Sequence, residues 1–169
     1  MEQQLKFKKL DYTIKDKDGV ETKHASEGVL PSRSTPYSAG LDLWSTRITN
    51  EIDNSGQITL TYHTDIAVEI PEGYVGLLVP KSSVWERSLR LCNCCGIIDS
   101  DYRGEIMAKF KITTDAIPTV YQKGEAFAQL IIVPILLLEP ILVDTLSNTE
   151  RGEKGFGEAD KVKEENSND

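Results

Sequence analysis

"GIIDSDYRGEIMAKFKI", residues 96–112, sets a short apolar run, a polar turn and an alternating segment end to end. Ile97 and Ile98 are β-branched, which suits a pleated, half-buried surface. Asp99 then opens a turn in which Asp101 and Glu105 crowd around Tyr102 and Arg103. From Ile106 the pattern has period two, placing Ile106, Ala108, Phe110 and Ile112 on one face. The local reading is strand, turn, strand. The bland account of the acids is a solvated turn, and the rest of the chain decides whether the turn is only that.

Outward from this stretch the same grammar repeats. "LKFKKLDYTI" alternates in part, and "DKDG" at 16–19 supplies hairpin turn chemistry before "VETKHA", an N-terminal hairpin over residues 5–29. Ile58, Leu60 and Tyr62 alternate in "QITLTY", as do Ile66, Val68 and Ile70 in "IAVEI". "PEG" at 71–73 turns the chain into "YVGLLVP", and "AQLIIVPI" follows the "QKGE" turn as a nearly continuous apolar strand. One helix is predicted over residues 83–89, because Ser83 with Glu86 three positions on is a capping-box pattern. Many short strands with frequent Gly, Pro and Asn turns give an all-β class, a sandwich, barrel or jelly roll.

The 169 residues fit one domain, and 39 % hydrophobic residues build a sizeable core. Formal charge is 19 − 27 = −8 with no basic stripe, which argues against binding a nucleic-acid backbone. "MEQQLKFKKL" lacks the apolar stretch of a secretory signal, and no window approaches a membrane span, so the expectation is a soluble, cytoplasmic protein without membrane or nucleic-acid partners. Cys92, Cys94 and Cys95 form one odd cluster, against a disulfide framework. His24 and His63 are remote from it, so zinc lacks a fourth ligand and the thiols are expected as small apolar residues on a buried strand. Residues 1–150 read as the domain. Residues 151–169, glycine-rich and then charged and apolar-poor, read as a flexible C-terminal arm carrying the single aromatic Phe156.

Five segments recur in order: "PYSAGLDL", "VPKSSVW", "GIIDSDYRGE", "KGEAFAQL" and "RGEKGFG". This succession resembles the trimeric dUTPase family, the deoxyuridine triphosphate nucleotidohydrolases, over residues 30–157. The resemblance implies a jelly-roll subunit and a homotrimer with shared active sites, each closed by the C-terminal arm of another subunit. It also implies that dUTP and water give dUMP and pyrophosphate, with Mg2+ held mainly on the triphosphate.

On the same resemblance Asp99 is the base that activates water, a group worth roughly 10²- to 10⁴-fold when held within hydrogen-bond reach. Its place after Ile97 and Ile98 is expected to hold it rigid and partly desolvate it. Tyr102 would pack where a ribose 2′-hydroxyl would sit. Asn93, with the hairpin backbone that includes Gly96 and Ile98, would read uracil. Ser82 would contact the phosphate chain near the scissile bond, with Ser83 beside it, while Lys81, Arg151 and Lys154 supply positive charge. Asp42, through water, and Gln129 would position the metal-bound and attacking waters. Phe156 would stack on uracil, and Gly152, Gly155 and Gly157 would let the arm approach the phosphates.

Three positions depart from the family pattern. Lys81 stands where arginine is usual, Ala126 where arginine is common, and Glu158 where Ser or Thr follows "GFG". An ammonium does not replace arginine's planar fork. Two rival readings are a dCTP deaminase on the same fold and a non-catalytic or moonlighting scaffold. "DSDYRGE" is the hydrolase form, and an intact Asp99 argues against pure binding.

Overall fold

The computed structural model describes residues 4–114 and 116–155. The chain divides into two compact units, Met1–Leu137 and Leu138–Asp169. The first unit contains β1 (Lys6–Lys9), β2 (Tyr12–Lys15), β3 (Glu21–His24), β4 (Leu41–Trp44), β5 (Arg47–Ile52), β6 (Ile58–His63), β7 (Ile66–Glu69), β8 (Tyr74–Pro80), β9 (Leu89–Leu91), β10 (Gly96–Ile98), β11 (Met107–Ile112) and β12 (Ala126–Pro134). Among the described residues no helix is long and apolar enough to cross a membrane.

Two four-stranded antiparallel sheets, ordered β10-β8-β12-β4 and β5-β6-β11-β9, form a jelly-roll-like β-sandwich. Period two places the core. Ile106, Ala108 and Phe110 are buried while Met107 and Lys109 are exposed, as the alternation predicts, and Ile112 is half-buried. Tyr62 of one sheet stacks on Phe127 of the other at 5.0 Å between ring centroids and meets Phe110 edge-on at 5.5 Å. Aromatic pairs in these geometries contribute about 0.5–1.5 kcal/mol beyond the area they bury. The Tyr62 hydroxyl donates to the Tyr121 carbonyl at 3.2 Å, and burial pushes its pKa up to about 12.

The N-terminal alternation does not continue as one strand. Leu10 donates its N–H to the Asp65 carbonyl at 2.8 Å, which separates β1 from β2. β1 pairs with β7, and the hairpin proper is β2 with β3. Its turn has the predicted chemistry: Asp16 Oδ1 accepts from Asp18 and Val20 N–H at 2.9 Å each, and Gly19 adopts φ +83°, which a side chain would strain.

The expected helix over residues 83–89 is instead a 3-10 turn, Ser82–Glu86, with no side-chain cap. The Ser83 hydroxyl meets the Tyr121 hydroxyl at 3.0 Å rather than the turn's own N–H groups. Leu89, the predicted helix end, opens β9 against β11. In the second unit, described over residues 138–155, Gly152 N–H donates to the carbonyl and the hydroxyl of Thr149, each at 3.1 Å. No strand is present among its described residues.

Candidate active site

β9 and β10 are joined by the turn 92–95, and β10 runs on into the turn 99–105. The two turns, β10 and β11 line a cavity of about 450 Å³, whose wall includes Asn93, Gly96, Ile98, Asp99 and Tyr102. Five predicted site residues therefore meet in one place. The second turn is closed by its own bonds. Tyr102 N–H donates to the Asp99 carbonyl at 3.1 Å, and Arg103 Nη1 donates to the Ser100 carbonyl at 2.7 Å and the Tyr102 carbonyl at 3.0 Å. Arg103 thus braces the turn. Among the described residues Asp99 is held by backbone bonds alone. Its side chain is exposed in the single chain, not desolvated as expected, because β10 ends immediately before it.

The cysteines are not strand filler. Cys92 and Cys94 are exposed and Cys95 is half-buried, because all three sit in the turn rather than on its flanking strands. Cys94 adopts φ +59°, a turn conformation that no buried strand position uses.

A second cluster gathers Asp42, Lys81, Ser82, Ser83 and Gln129. Gln129 of β12 stands opposite both Asp42 of β4 and Val79 of β8, and its Nε2 donates to the Pro80 carbonyl at 3.3 Å. Gly40 admits this side chain: a Cβ there would lie 2.3 Å from Gln129 Oε1. Lys81 Nζ pairs with Asp42 Oδ1 at 2.7 Å, and Ser34 donates its hydroxyl to Asp42 Oδ2 at 2.8 Å. Ser82 is exposed, whereas Ser83 is tied to Tyr121.

Asp99 of the first cluster and Lys81 and Ser82 of the second stand at opposite ends of β8. Gly96 lies opposite Leu78 and Ile98 opposite Gly76, so Asp99 leaves the sheet beside Val75 while Lys81 follows Pro80. At ~3.3 Å per strand residue the two ends are roughly 20 Å apart. A base and a hydroxyl serving one phosphorus both need hydrogen-bond reach of it, so one chain does not unite Asp99 with Ser82.

Residues 151–155 of the arm belong to the second unit. Arg151 is exposed, and its Nε donates to the Lys154 carbonyl at 3.0 Å. Gly155 is half-buried. Phe156, Gly157 and Glu158 lie outside the described residues. No group of three or more His, Cys, Asp or Glu residues suited to holding a metal is present among the described residues.

Glu105, one of the crowded acids of this turn, is a hub. Its Oε1 accepts from Thr64 N–H at 3.1 Å and Asp65 N–H at 2.9 Å; its Oε2 meets Arg47 Nη2 at 3.0 Å and His63 Nδ1 at 3.1 Å. Burial pushes this carboxyl's pKa up, but the bonds from His63 and Asp65 outweigh it and hold it below the usual carboxylate value. A carboxylate only accepts, so His63 carries a proton on Nδ1. No short-range signal marks this role, because the partners arrive through β-pairing from distant parts of the chain.

Comparison with known proteins gives a consistent answer. The dUTPase family model matches residues 26–159. The deoxyuridine 5'-triphosphate nucleotidohydrolase of Hydrogenobaculum sp. is 36% identical over 132 residues, 78% of this chain and 90% of that one. The namesake from Dictyoglomus turgidum is 39% identical over 131 residues, 76% and 88% of the two chains. Among solved structures, the Staphylococcus bacteriophage 80alpha dUTPase with dUPNHPP superposes with a TM-score of 0.69 at 30% identity, covering 92% of this chain and 97% of its own. A mutant dUTPase from phage phi11 of S. aureus, described with a coordinated structural Mg(II) ion, superposes at 0.64 with 26% identity, covering 85% and 98%.

Proposed function

The chain belongs to the dUTPase family, and on that premise we propose that it hydrolyses dUTP to dUMP and pyrophosphate at sites shared between copies of itself, in a homotrimer. The observation that carries the sharing is the span of β8. Asp99 at one end and Lys81, Ser82, Asp42 and Gln129 at the other can serve one phosphate chain only if they come from different copies. The second unit agrees, since it carries exposed Leu138, Ile141, Leu142 and Leu146, apolar surface that an assembly would cover.

Within such a site Asp99 accepts a proton from the attacking water. The water oxygen bonds to the α-phosphorus as the bond to the bridging oxygen breaks, and pyrophosphate departs. Exposure in the single chain leaves the carboxylate open to that water. Asn93 and the backbone from Gly96 to Ile98 meet the uracil edge, and Tyr102 excludes a 2′-hydroxyl by filling its place. Fixed polar partners of this kind can discriminate by about 10⁴- to 10⁵-fold against bases that leave them unpaired.

Ser82 donates to the phosphate chain, and Lys81 and Arg151 balance its charge. Ser83 backs Ser82, its hydroxyl held by Tyr121. Gln129, fixed against Gly40, orients water. Mg2+ carried on the triphosphate would neutralise phosphate charge, and one outer carboxylate suits a cation bound mainly by substrate, which is what Asp42 offers beside Lys81. The arm from Arg151, with Gly155, Phe156 and Gly157, closes over the base.

Pyrophosphate release from dUTP, dTTP, dCTP and UTP with Mg2+ tests the reading. Release selective for dUTP that collapses in folded Asp99→Asn is expected. Ammonia release from dCTP, or turnover indifferent to Asp99→Asn, would overturn it.

A further inference from the structure

Tyr102 curls back over its own loop. Its hydroxyl donates to the main-chain carbonyl of Glu105 at 3.0 Å, and its ring occupies the space above Gly104. A Cβ at Gly104 would lie 2.3 Å from the Tyr102 hydroxyl oxygen and 2.5 Å from the ring carbon that bears it, so only glycine admits this pose. The ring that contacts sugar in the proposed site is thus aimed by one hydrogen bond to one carbonyl.

That carbonyl belongs to the residue most firmly held in this part of the chain. The Glu105 side chain is locked by two backbone N–H groups, Arg47 and His63. His63 is itself buried, and its Nε2 meets the Thr49 hydroxyl at 3.1 Å. Arg47 is braced in turn: Asp65, 1% exposed, places Oδ1 3.4 Å from Arg47 Nε, an ion contact without hydrogen-bond alignment. The Tyr12 ring lies 4.5 Å from the guanidinium carbon and stacks on His24 at 5.0 Å. A continuous chain of contacts therefore runs from the β2–β3 hairpin through Arg47 and Glu105 to Tyr102.

We infer that Glu105 is a positioning residue for sugar selection: clamped by Arg47 and His63, it fixes the carbonyl that aims Tyr102 at the 2′ position. The inference rests on the proposed dUTP site. It gives the hairpin a purpose, since Tyr12 covers the outer face of the Arg47 clamp.

The readout is the ratio of affinities for dUMP over UMP, measured by calorimetry, which needs no hydrolysis. An inactive wild type would therefore overturn the proposed reaction without disturbing this test. Tyr102→Phe keeps the ring and loses only the hydrogen bond; the ratio is expected to fall about three- to ten-fold, the range of one neutral hydrogen bond. Glu105→Gln, which loses charge-assisted bonds, is expected to fall by roughly ten-fold or more. The double variant is expected to fall no further than the larger single change, because both act on the same bond. An unchanged ratio in Tyr102→Phe overturns the inference even if Glu105→Gln fails to fold. So does a Glu105→Gln that weakens dUMP and UMP equally.

Discussion

The separation of Asp99 from Ser82 along β8 makes a quantitative demand on mixed assemblies. Asp99→Asn removes the base, at a cost of roughly 10²- to 10⁴-fold in rate. Ser82→Ala removes a hydroxyl aimed at the phosphates, at a cost of roughly 10²- to 10³-fold if it acts as other preorganised donors do. Each variant alone carries its lesion in every site. If sites formed within one chain, mixing the two would restore nothing. If a site draws Asp99 from one copy and Ser82 from a neighbour, equal mixing gives each native group an independent chance of one half. About one quarter of sites then hold both, and activity returns to about one quarter of wild type, far above either parent. The assay is pyrophosphate release after the two variants are refolded together, with native mass spectrometry counting mixed assemblies. Mixed assemblies no more active than the average of the parents would refute the shared site and the reasoning from strand length behind it.

The remaining expectations are smaller in scope. Lys81→Arg should lower KM for dUTP by about five-fold, because a fork can keep Asp42 with one arm and meet phosphate with another; steady-state kinetics showing no gain would mean that Lys81 is spent on Asp42. Cys92 is exposed and shares the cavity wall with Asn93, so alkylation by N-ethylmaleimide should block turnover, with a non-hydrolysable dUTP analogue protecting. Full labelling of Cys92, mapped by mass spectrometry, with turnover intact would contradict that placement. The depressed pKa of Glu105 makes it a source of stability that is complete above its unfolded value, near 4.3, and lost as pH falls through the folded value. Thermal unfolding of Glu105→Gln should show a lower Tm than wild type at pH 7, with the gap closing below about pH 4; a gap constant with pH would count against the charged clamp.

Much of the fold was legible because its signals are local. Period two in residues 106–112, Gly19 after Asp16, and Gly73 after Pro71 each dictate their structure from within a few residues. The hairpin cavity was legible for the same reason: Asn93, Asp99 and Tyr102 are close in sequence, on the two turns that flank β10. What stayed hidden was set by pairing. Nothing near Leu10 announces that its N–H will meet the Asp65 carbonyl and split a strand. Nothing in "SSVWE" shows that Ser83 will prefer a core tyrosine to capping. The cysteines were misread because composition treats them as apolar, while Gly96 directly after them and the φ of Cys94 make them a turn.

The division of the site follows from the same physics. β8 is seven residues long, and its two ends must carry different groups because a strand cannot bend one end back onto the other. Asp99 is presented beside the start of β8 and Lys81 and Ser82 just past its end, which fits a subunit that offers half of one site and half of another. A single sandwich of this size holds both halves rigidly but cannot bring them together. In the proposed assembly, association of identical copies would do so without any new fold, and would put the braced turn of one copy against the Asp42–Lys81 cluster of the next. The Glu105 clamp belongs to the same proposal: a turn presented across such an interface would not be aimed by its own chain's second cluster, and the brace from behind, through Glu105, holds Tyr102 instead.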